Sequence, residues 1–165
     1  MPVTDTILLP ELARNAVENV FATMLSIELE PLDAPIDESE QGGERVVGSI
    51  GFGGRATGIV HLYLSEIFAR EITATMLGFP AEEVGGAEIN DVIGELCNMI
   101  GGSLKSNLCD QGFSCQLSLP SVLRGKDFQL ETPGLKAECS VEAGFRYQNH
   151  LLRTVVFLKE ENHGG

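Results

Sequence analysis

Hydrophobic residues recur at helical spacing in three parts of the chain. The first is residues 9–28, which predict an amphipathic helix. Its apolar stripe consists of Leu12, Ala16, Val20, Met24 and Ile27, flanked by Val17, Phe21 and Leu25. A second helix is predicted over residues 66–77, because Ser65 suits the N-cap and Gly78 suits the C-terminal stop. A third helix is predicted over roughly residues 86–109.

Strand-like patterns occupy most of the remaining chain. "RVVGSIGFGG" and "TGIVHLYLS" predict two strands of a hairpin with its turn in "GGRATG". Three further strands are predicted over residues 113–125, 135–147 and 150–160, whereas residues 31–44 are acidic and rich in Pro and Gly, which predicts a loop. Consecutive strands joined by short turns favour an α+β fold: a largely antiparallel β-sheet with helices packed on one face. The length of 165 residues predicts a single domain spanning 1–165.

The third predicted helix has one apolar face and one polar face. At about 100° per residue, Asp91, Glu95, Asn98, Gly102 and Lys105 fall within an arc of about 80°. The apolar residues on the opposite side are Ile89, Val92, Ile93, Leu96, Ile100 and Leu104. The pattern predicts a helix that buries one stripe and exposes two carboxylates, an amide and an amine. On spacing alone, this polar line also fits an ordinary solvated helix face.

Three glycines interrupt the same helix, although a glycine costs roughly 1 kcal/mol relative to alanine in a helix. Gly102 lies within the polar line, and Gly94 and Gly101 lie on its flank. One explanation is that a helix surface without side chains lets another backbone approach closely. The alternative, for Gly94 and Gly101, is that a neighbouring element of the same chain packs there.

The charge balance excludes two classes of partner. The chain has 11 Lys and Arg against 24 Asp and Glu, giving a net charge of −13. Nucleic acids and anionic membranes both require basic residues, so neither is expected as a partner. The N-terminus lacks a basic segment followed by a long apolar one, and no apolar run approaches the roughly 18 residues of a membrane span. We therefore expect a cytoplasmic protein.

The four cysteines show no metal-binding spacing. Cys97, Cys109, Cys115 and Cys139 form no C-x-x-C motif, and the nearest histidines are distant in the sequence. The simplest interpretation is that they are small buried hydrophobic residues. A redox role is the alternative.

The stretch "DVIGELCNMIGGSLKSNL", residues 91–108, resembles the signature of the CheC/CheX/FliY family of chemotaxis phosphatases. The matching features are Asp91, the E-x-x-N pair Glu95 and Asn98, the small-residue run "GGSLK" at 101–105, and Pro120 in "SLPSVLRG". The resemblance extends over the predicted first helix, hairpin and following helix, and covers residues 12 to about 158. The other predicted helices contain no second E-x-x-N copy. In having a single copy the chain resembles the CheX branch, whose members form homodimers.

The resemblance implies an enzyme that hydrolyses the aspartyl phosphate of a CheY-like response regulator receiver domain. Asn98 would orient the attacking water, and Glu95 would pair with the receiver's active-site lysine. Mg²⁺ would be held by the receiver, with no cofactor or metal bound by this chain. The alternatives are a non-catalytic module of the same fold that binds a receiver or flagellar switch component, and a small-ligand domain.

Six further residues would support this pair. Asp91 either orients a receiver backbone group or favours the N-terminal half of the helix through the dipole. The glycines would keep the flank clear, Lys105 would belong to the polar face, and Pro120 would shape the turn beside the helix. The predicted binding residues are thus Asp91, Gly94, Gly101, Gly102, Lys105 and Pro120.

Overall fold

The computed structural model describes residues 9–36, 42–131 and 140–161. Its helices are α1 (Leu9–Leu25), α2 (Glu66–Leu77) and α3 (Gly86–Asp110), with a 3-10 turn at Ala81–Glu83. Its strands are β1 (Glu30–Leu32), β2 (Arg45–Gly54), β3 (Ala56–Ser65), β4 (Cys115–Leu117), β5 (Ser121–Gly125), β6 (Ser140–Tyr147) and β7 (His150–Glu160).

The strands form one antiparallel sheet in the spatial order β1-β6-β7-β3-β2. At the β2 edge, β4 pairs with residues 52–54 and β5 pairs with residues 45–49. Two long hairpins, β2–β3 and β6–β7, make up the centre of the sheet and meet where β3 pairs with β7. The largely antiparallel sheet is therefore the one that the predicted α+β fold requires.

The helices pack on one face of this sheet, and α3 lies over β2. Gly48 of β2 lies directly beneath the helix: a Cβ atom there would overlap Sγ of Cys97 and would lie 2.9 Å from Cγ2 of Ile93. The missing side chain lets α3 sit close to the sheet. Close packing of this kind fixes which face of α3 remains outside.

All three predicted helices are confirmed. α1 ends at Leu25, slightly earlier than the predicted 28, and α2 has the predicted bounds. The hydroxyl of Ser65 accepts a hydrogen bond from the Phe68 N–H at 3.0 Å, and Gly78 adopts a left-handed conformation with φ of 71°. α3 extends one residue beyond the predicted end, to Asp110. None of the described helices is both long and apolar enough to cross a membrane.

The strand predictions need two corrections. The predicted loop over 31–44 begins inside a short strand, β1, because Glu30–Leu32 pairs with β6. The predicted strand over 113–125 is divided into β4 and β5 at residues 118–120, since Pro120 has no N–H to give to a ladder. The first part of the predicted strand over 135–147 lies outside the described residues, which resume at residue 140 in β6.

Candidate functional site

One wall of the candidate site is the outer face of α3. Its apolar stripe is buried, with Ile89, Ile93 and Leu96 each fully enclosed. Asp91, Glu95 and Asn98 are exposed. The exposure follows from the helical period, because residues at intervals of three and four share one face.

The opposite wall is the interruption between β4 and β5. The Ser118 N–H donates to the Gly51 carbonyl at 2.9 Å, and the Gly51 N–H donates back to the Ser118 hydroxyl at 2.9 Å. The side chain of Ser118 therefore takes the place of a backbone carbonyl in the ladder. The chain then leaves the sheet, and Leu119 is 88% exposed. We call residues Ser118, Leu119 and Pro120 the edge bulge.

An open groove of about 420 Å³ lies between α3 and the edge bulge. Its lining residues are Asn90, Asp91, Gly94, Glu95, Asn98, Leu119, Pro120 and Val122. Gly94 is the point where the two walls meet, since a Cβ atom there would lie 3.7 Å from Cγ of Pro120. The groove is thus polar along the helix and apolar along the strand.

The electrostatics of the groove are acidic. Asp91 and Glu95 supply two carboxylates, and in the described part of the chain neither forms an ion pair with a Lys, Arg or His. Among the described residues no group of three or more His, Cys, Asp or Glu could hold a metal ion. The two carboxylates can therefore meet a cation that arrives from outside, while the Asn98 amide offers both a donor and an acceptor.

The structure brings five of the predicted site residues together and separates the other three from them. Asp91, Gly94, Glu95, Asn98 and Pro120 all line the groove. These residues come from segments that lie about 25 positions apart in the sequence. Their proximity depends on the pairing of the edge strand with β2.

The remaining three predicted residues lie outside the groove lining. Gly101 is buried, and a Cβ atom there would lie 2.8 Å from Cγ2 of Ile50, which corresponds to the packing alternative for this glycine. Gly102 faces open space, because a Cβ atom at this position would have no neighbouring atom within 4 Å. Lys105 is half-buried and does not line the groove.

Three residues of the groove are absent from the sequence prediction: Asn90, Leu119 and Val122. Leu119 and Val122 could have been found from Pro120, because a proline within a strand pattern is typical of an edge strand or a bulge. A bulge re-aims the neighbouring side chain, which explains why an apolar residue beside Pro120 is almost fully exposed. Asn90 lies next to Asp91 on the helix and could be placed only once the second wall was known.

A larger cavity of about 590 Å³ lies elsewhere, and none of the predicted site residues lines it. It is lined by residues 126–131 together with Arg45, Tyr63 and Arg153 and the glycines at 42 and 43. Arg45 and Tyr63 lie on the sheet face away from α3. Size alone therefore does not identify the functional site, and the smaller groove holds the predicted chemistry.

Known structures share this architecture. The crystal structure of the chemotaxis protein CheX from Vibrio vulnificus superposes with a TM-score of 0.76, at 27% identity, covering 92% of this chain and 99% of that one. A CheC-like superfamily protein from Shewanella sp. PV-4 gives a TM-score of 0.73 at 25% identity, covering 90% and 95% of the two chains. The CheX–CheY–BeF3–Mg complex from Borrelia burgdorferi gives 0.69 at 18% identity, covering 91% and 97%, which shows a common fold.

A family model gives the more direct assignment. The model of the chemotaxis phosphatase CheX matches residues 46–143, which is more than half of the 165-residue chain. That range contains all but the first residue of the β2–β3 hairpin, together with α2, α3 and the edge bulge, and so includes the whole groove. No curated protein matches the chain significantly. On the family match and the shared fold, this chain belongs to the CheX-like branch of the CheC/CheX/FliY family of chemotaxis phosphatases.

Proposed function

We propose that this protein hydrolyses the aspartyl phosphate of a CheY-like response regulator receiver domain, with Asn98 and Glu95 as the functional pair. The observation that carries the proposal is the position of both residues on the exposed face of α3, in one open groove. The groove is open along its length, so another protein can reach it. A site for a free small molecule is usually more enclosed than this.

Asn98 supplies what the hydrolysis of an acyl phosphate requires. The phosphoryl group is already activated, and catalysis of its transfer consists mainly of positioning and charge compensation. The Asn98 carbonyl oxygen accepts a hydrogen bond from a water molecule and fixes its direction of approach. The water oxygen attacks phosphorus, the bond from phosphorus to the aspartyl oxygen breaks, and the protons of the water remain with the phosphate and bulk solvent.

Glu95 holds the receiver in register. It lies three residues before Asn98 on the same exposed face, and no described cation pairs with it. In the proposed complex its carboxylate pairs with the lysine of the receiver's active site, which places the Asn98 amide beside the phosphoryl group. A charge pair across a partly desolvated contact gives orientation as well as attraction.

Support for a receiver partner comes from the family and from its structural relatives. The matched family is described as a chemotaxis phosphatase, and a protein of the same fold has been crystallised with CheY, BeF3 and Mg. In our proposal the Mg²⁺ belongs to the receiver, where it neutralises charge on the phosphoryl oxygens. Asp91 lines the same groove. In our proposal it contacts the receiver backbone.

The test compares Asn98→Ala with a matched control, Asn90→Ala. Both remove an exposed asparagine amide from α3, and both positions line the groove. Each should change the free energy of unfolding by no more than about 0.5 kcal/mol, because neither side chain is buried. Dephosphorylation of a phosphorylated receiver should slow by about 100-fold or more in Asn98→Ala and stay near wild type in Asn90→Ala.

Binding must be measured beside the rate, using a receiver loaded with beryllofluoride as a stable phosphoryl mimic. We expect Asn98→Ala to keep its affinity, because orienting water is a transition-state effect. Parallel losses of affinity and rate would make Asn98 a docking residue. An unchanged rate would favour the non-catalytic alternative, a module that binds a receiver or a flagellar switch component.

We also propose that the protein forms a homodimer, through sheet edges or through the strands near residues 111–125. β5 pairs with β2 on one side only, and in the described part of the chain no strand covers its other side. Exposed edges of this kind pair readily.

Sedimentation at about 10–50 µM should show a dimer. Leu123→Lys places a charge on β5 outside the groove and should shift the equilibrium towards monomer. A monomeric wild type would contradict the proposal.

A further inference from the structure

Arg124 lies over the start of α3, in space that a glycine leaves free. Gly86 is the first residue of the helix, and a Cβ atom there would lie 2.8 Å from Nη1 and 2.9 Å from Cζ of Arg124. Real Cβ atoms do not come this close to a neighbour, so a larger residue at position 86 would push the guanidinium away. The position of the Arg124 side chain therefore depends on Gly86.

Both walls of the groove lead to this guanidinium. Along β5, Val122 lines the groove, and Arg124 lies two residues further on the same face of the strand. Along α3, Asn90 lines the groove, and Gly86 lies about one turn before it. Arg124 therefore lies at the end of the groove that is nearest the start of α3, about 18 Å along the helix axis from Asn98.

No carboxylate among the described residues neutralises this guanidinium. Arg124 is exposed and takes part in none of the ion pairs that the described ranges contain. The acidic residue in the first turn of α3 is Glu88, whose Oε2 would lie 2.8 Å from a Cβ atom at Gly85. Glu88 therefore turns towards the residue before the helix. The charge of Arg124 is available to a partner.

The start of a helix is an unfavourable place for a cation. The free N–H groups of the first turn carry a partial positive charge, which stabilises carboxylates and destabilises Lys and Arg. The chain has 24 acidic and 11 basic residues, and it still places an arginine beside Gly86. A local choice that opposes stability is typical of a functional position. The electrostatics therefore favour a role of Arg124 in binding over a role in holding the fold.

We propose that Arg124 is a docking residue and that its guanidinium pairs with a carboxylate on the receiver surface, outside the receiver's Mg²⁺ site. The inference rests on the proposed function and extends it, since Asp91 and Glu95 attract a cation of the partner while Arg124 attracts an anion. A typical interface covers about 800 Å² of each partner, a patch roughly 32 Å across, so one receiver can contact Asn98 and Arg124 together. A receiver that carries both charges at this spacing binds in preference to one that lacks the carboxylate.

The test measures how fast the protein associates with a receiver loaded with beryllofluoride. Arg124→Gln removes the charge and should lower the association rate constant about three- to fivefold at about 50 mM NaCl, which is the scale of an exposed ion pair. The difference from wild type should disappear at about 0.5 M NaCl, because salt screens exposed charges. Arg124→Lys keeps the charge and should retain most of the wild-type rate constant.

Two further variants separate docking from other effects. Arg14→Gln removes the same charge from an exposed position on α1, a helix that contributes no residue to the groove lining, and should associate like wild type. Gly86→Ala should slow association in the wild-type background, because its methyl group displaces the guanidinium, but not in the Arg124→Gln background. The melting temperature of Arg124→Gln should equal or exceed that of wild type, since a cation has left the start of α3.

Wild-type association by Arg124→Gln, or an equal slowing by Arg14→Gln, would overturn the inference. Slower association that persists at high salt together with a lower melting temperature would make Arg124 structural, and a shift towards monomer in sedimentation would place it at the dimer interface. The proposed catalysis is tested separately, by hydrolysis in Asn98→Ala. An unchanged rate there would contradict the catalytic role, whereas the binding assay needs no hydrolysis and still tests Arg124. A wild-type protein that does not bind the receiver would contradict both proposals.

Discussion

The adjacent glycines of α3 provide a sharp test of how the helix is packed. Gly101 is buried, and a Cβ atom there would lie 2.8 Å from Cγ2 of Ile50 and 3.4 Å from Cδ2 of Leu117. Gly102, one position further, would place its Cβ in open space. Replacing each in turn by alanine therefore makes the same chemical change on the buried and the open side of one helix.

The expected magnitudes follow from these distances. Alanine gains about 1 kcal/mol over glycine in a helix, and this gain is common to both variants. At Gly101 the new methyl group must displace Ile50, a β-branched core residue that is 1% exposed, and overpacking of this kind costs about 1–3 kcal/mol. Gly102→Ala should therefore be more stable than wild type, and Gly101→Ala should be less stable than Gly102→Ala by about 2 kcal/mol.

Thermal and urea unfolding of the two variants and wild type provide the measurement. For a chain of this size, a difference of about 2 kcal/mol separates the melting temperatures by about 4–8 °C. Equal stability of the two variants would refute the packing argument, because the shared helix gain would then be the only effect. Receiver binding gives a second readout: Gly102→Ala should bind more weakly despite its higher stability, if this open surface is where the receiver approaches.

Three further predictions concern the groove and the sheet. Glu95→Lys should fold normally, as circular dichroism will show, yet it should weaken receiver binding, because in the proposed complex the new lysine would face the lysine of the receiver's active site. An unfolded variant would show that Glu95 has a structural role. Leu119→Ala should leave the free energy of unfolding unchanged, since Leu119 is 88% exposed, but it should lower receiver affinity more than Leu123→Ala does. Equal affinities of the two variants would show that the edge bulge is not part of the docking surface. Burial, and then the charge of Arg153, lower the pKa of His61 below its usual value of 6.5. His61 therefore binds more protons in the unfolded state than in the folded state below pH 6.5, so its contribution to stability should fall as the pH drops through 6.5 and stay level above it. Urea titrations at pH 5.5 and 7.5 should show that stability depends less on pH in His61→Asn than in wild type. The same pH dependence in both proteins would contradict this.

The sequence alone determined the features that arise from short-range periodicity. The three helices follow from apolar spacing and from local signals such as Ser65 and Gly78, because capping and amphipathicity act within a few residues. The exposed line on α3 followed in the same way, and Glu95 and Asn98 lie on its exposed face. The likeness to the CheC/CheX/FliY family was carried chiefly by the signature at residues 91–108, which are close together in the chain.

The tertiary structure decided what those residues face. β1 exists because Glu30–Leu32 finds an edge on β6, and Leu119 matters because strand pairing carries it to the groove beside α3. The three glycines look alike in the sequence. A Cβ atom at Gly94 would contact Pro120, one at Gly101 would collide with Ile50, and one at Gly102 would meet nothing within 4 Å. The reason is physical: each of these outcomes depends on contacts between segments far apart in the chain, and helical or strand periodicity carries no information about the partner of a face.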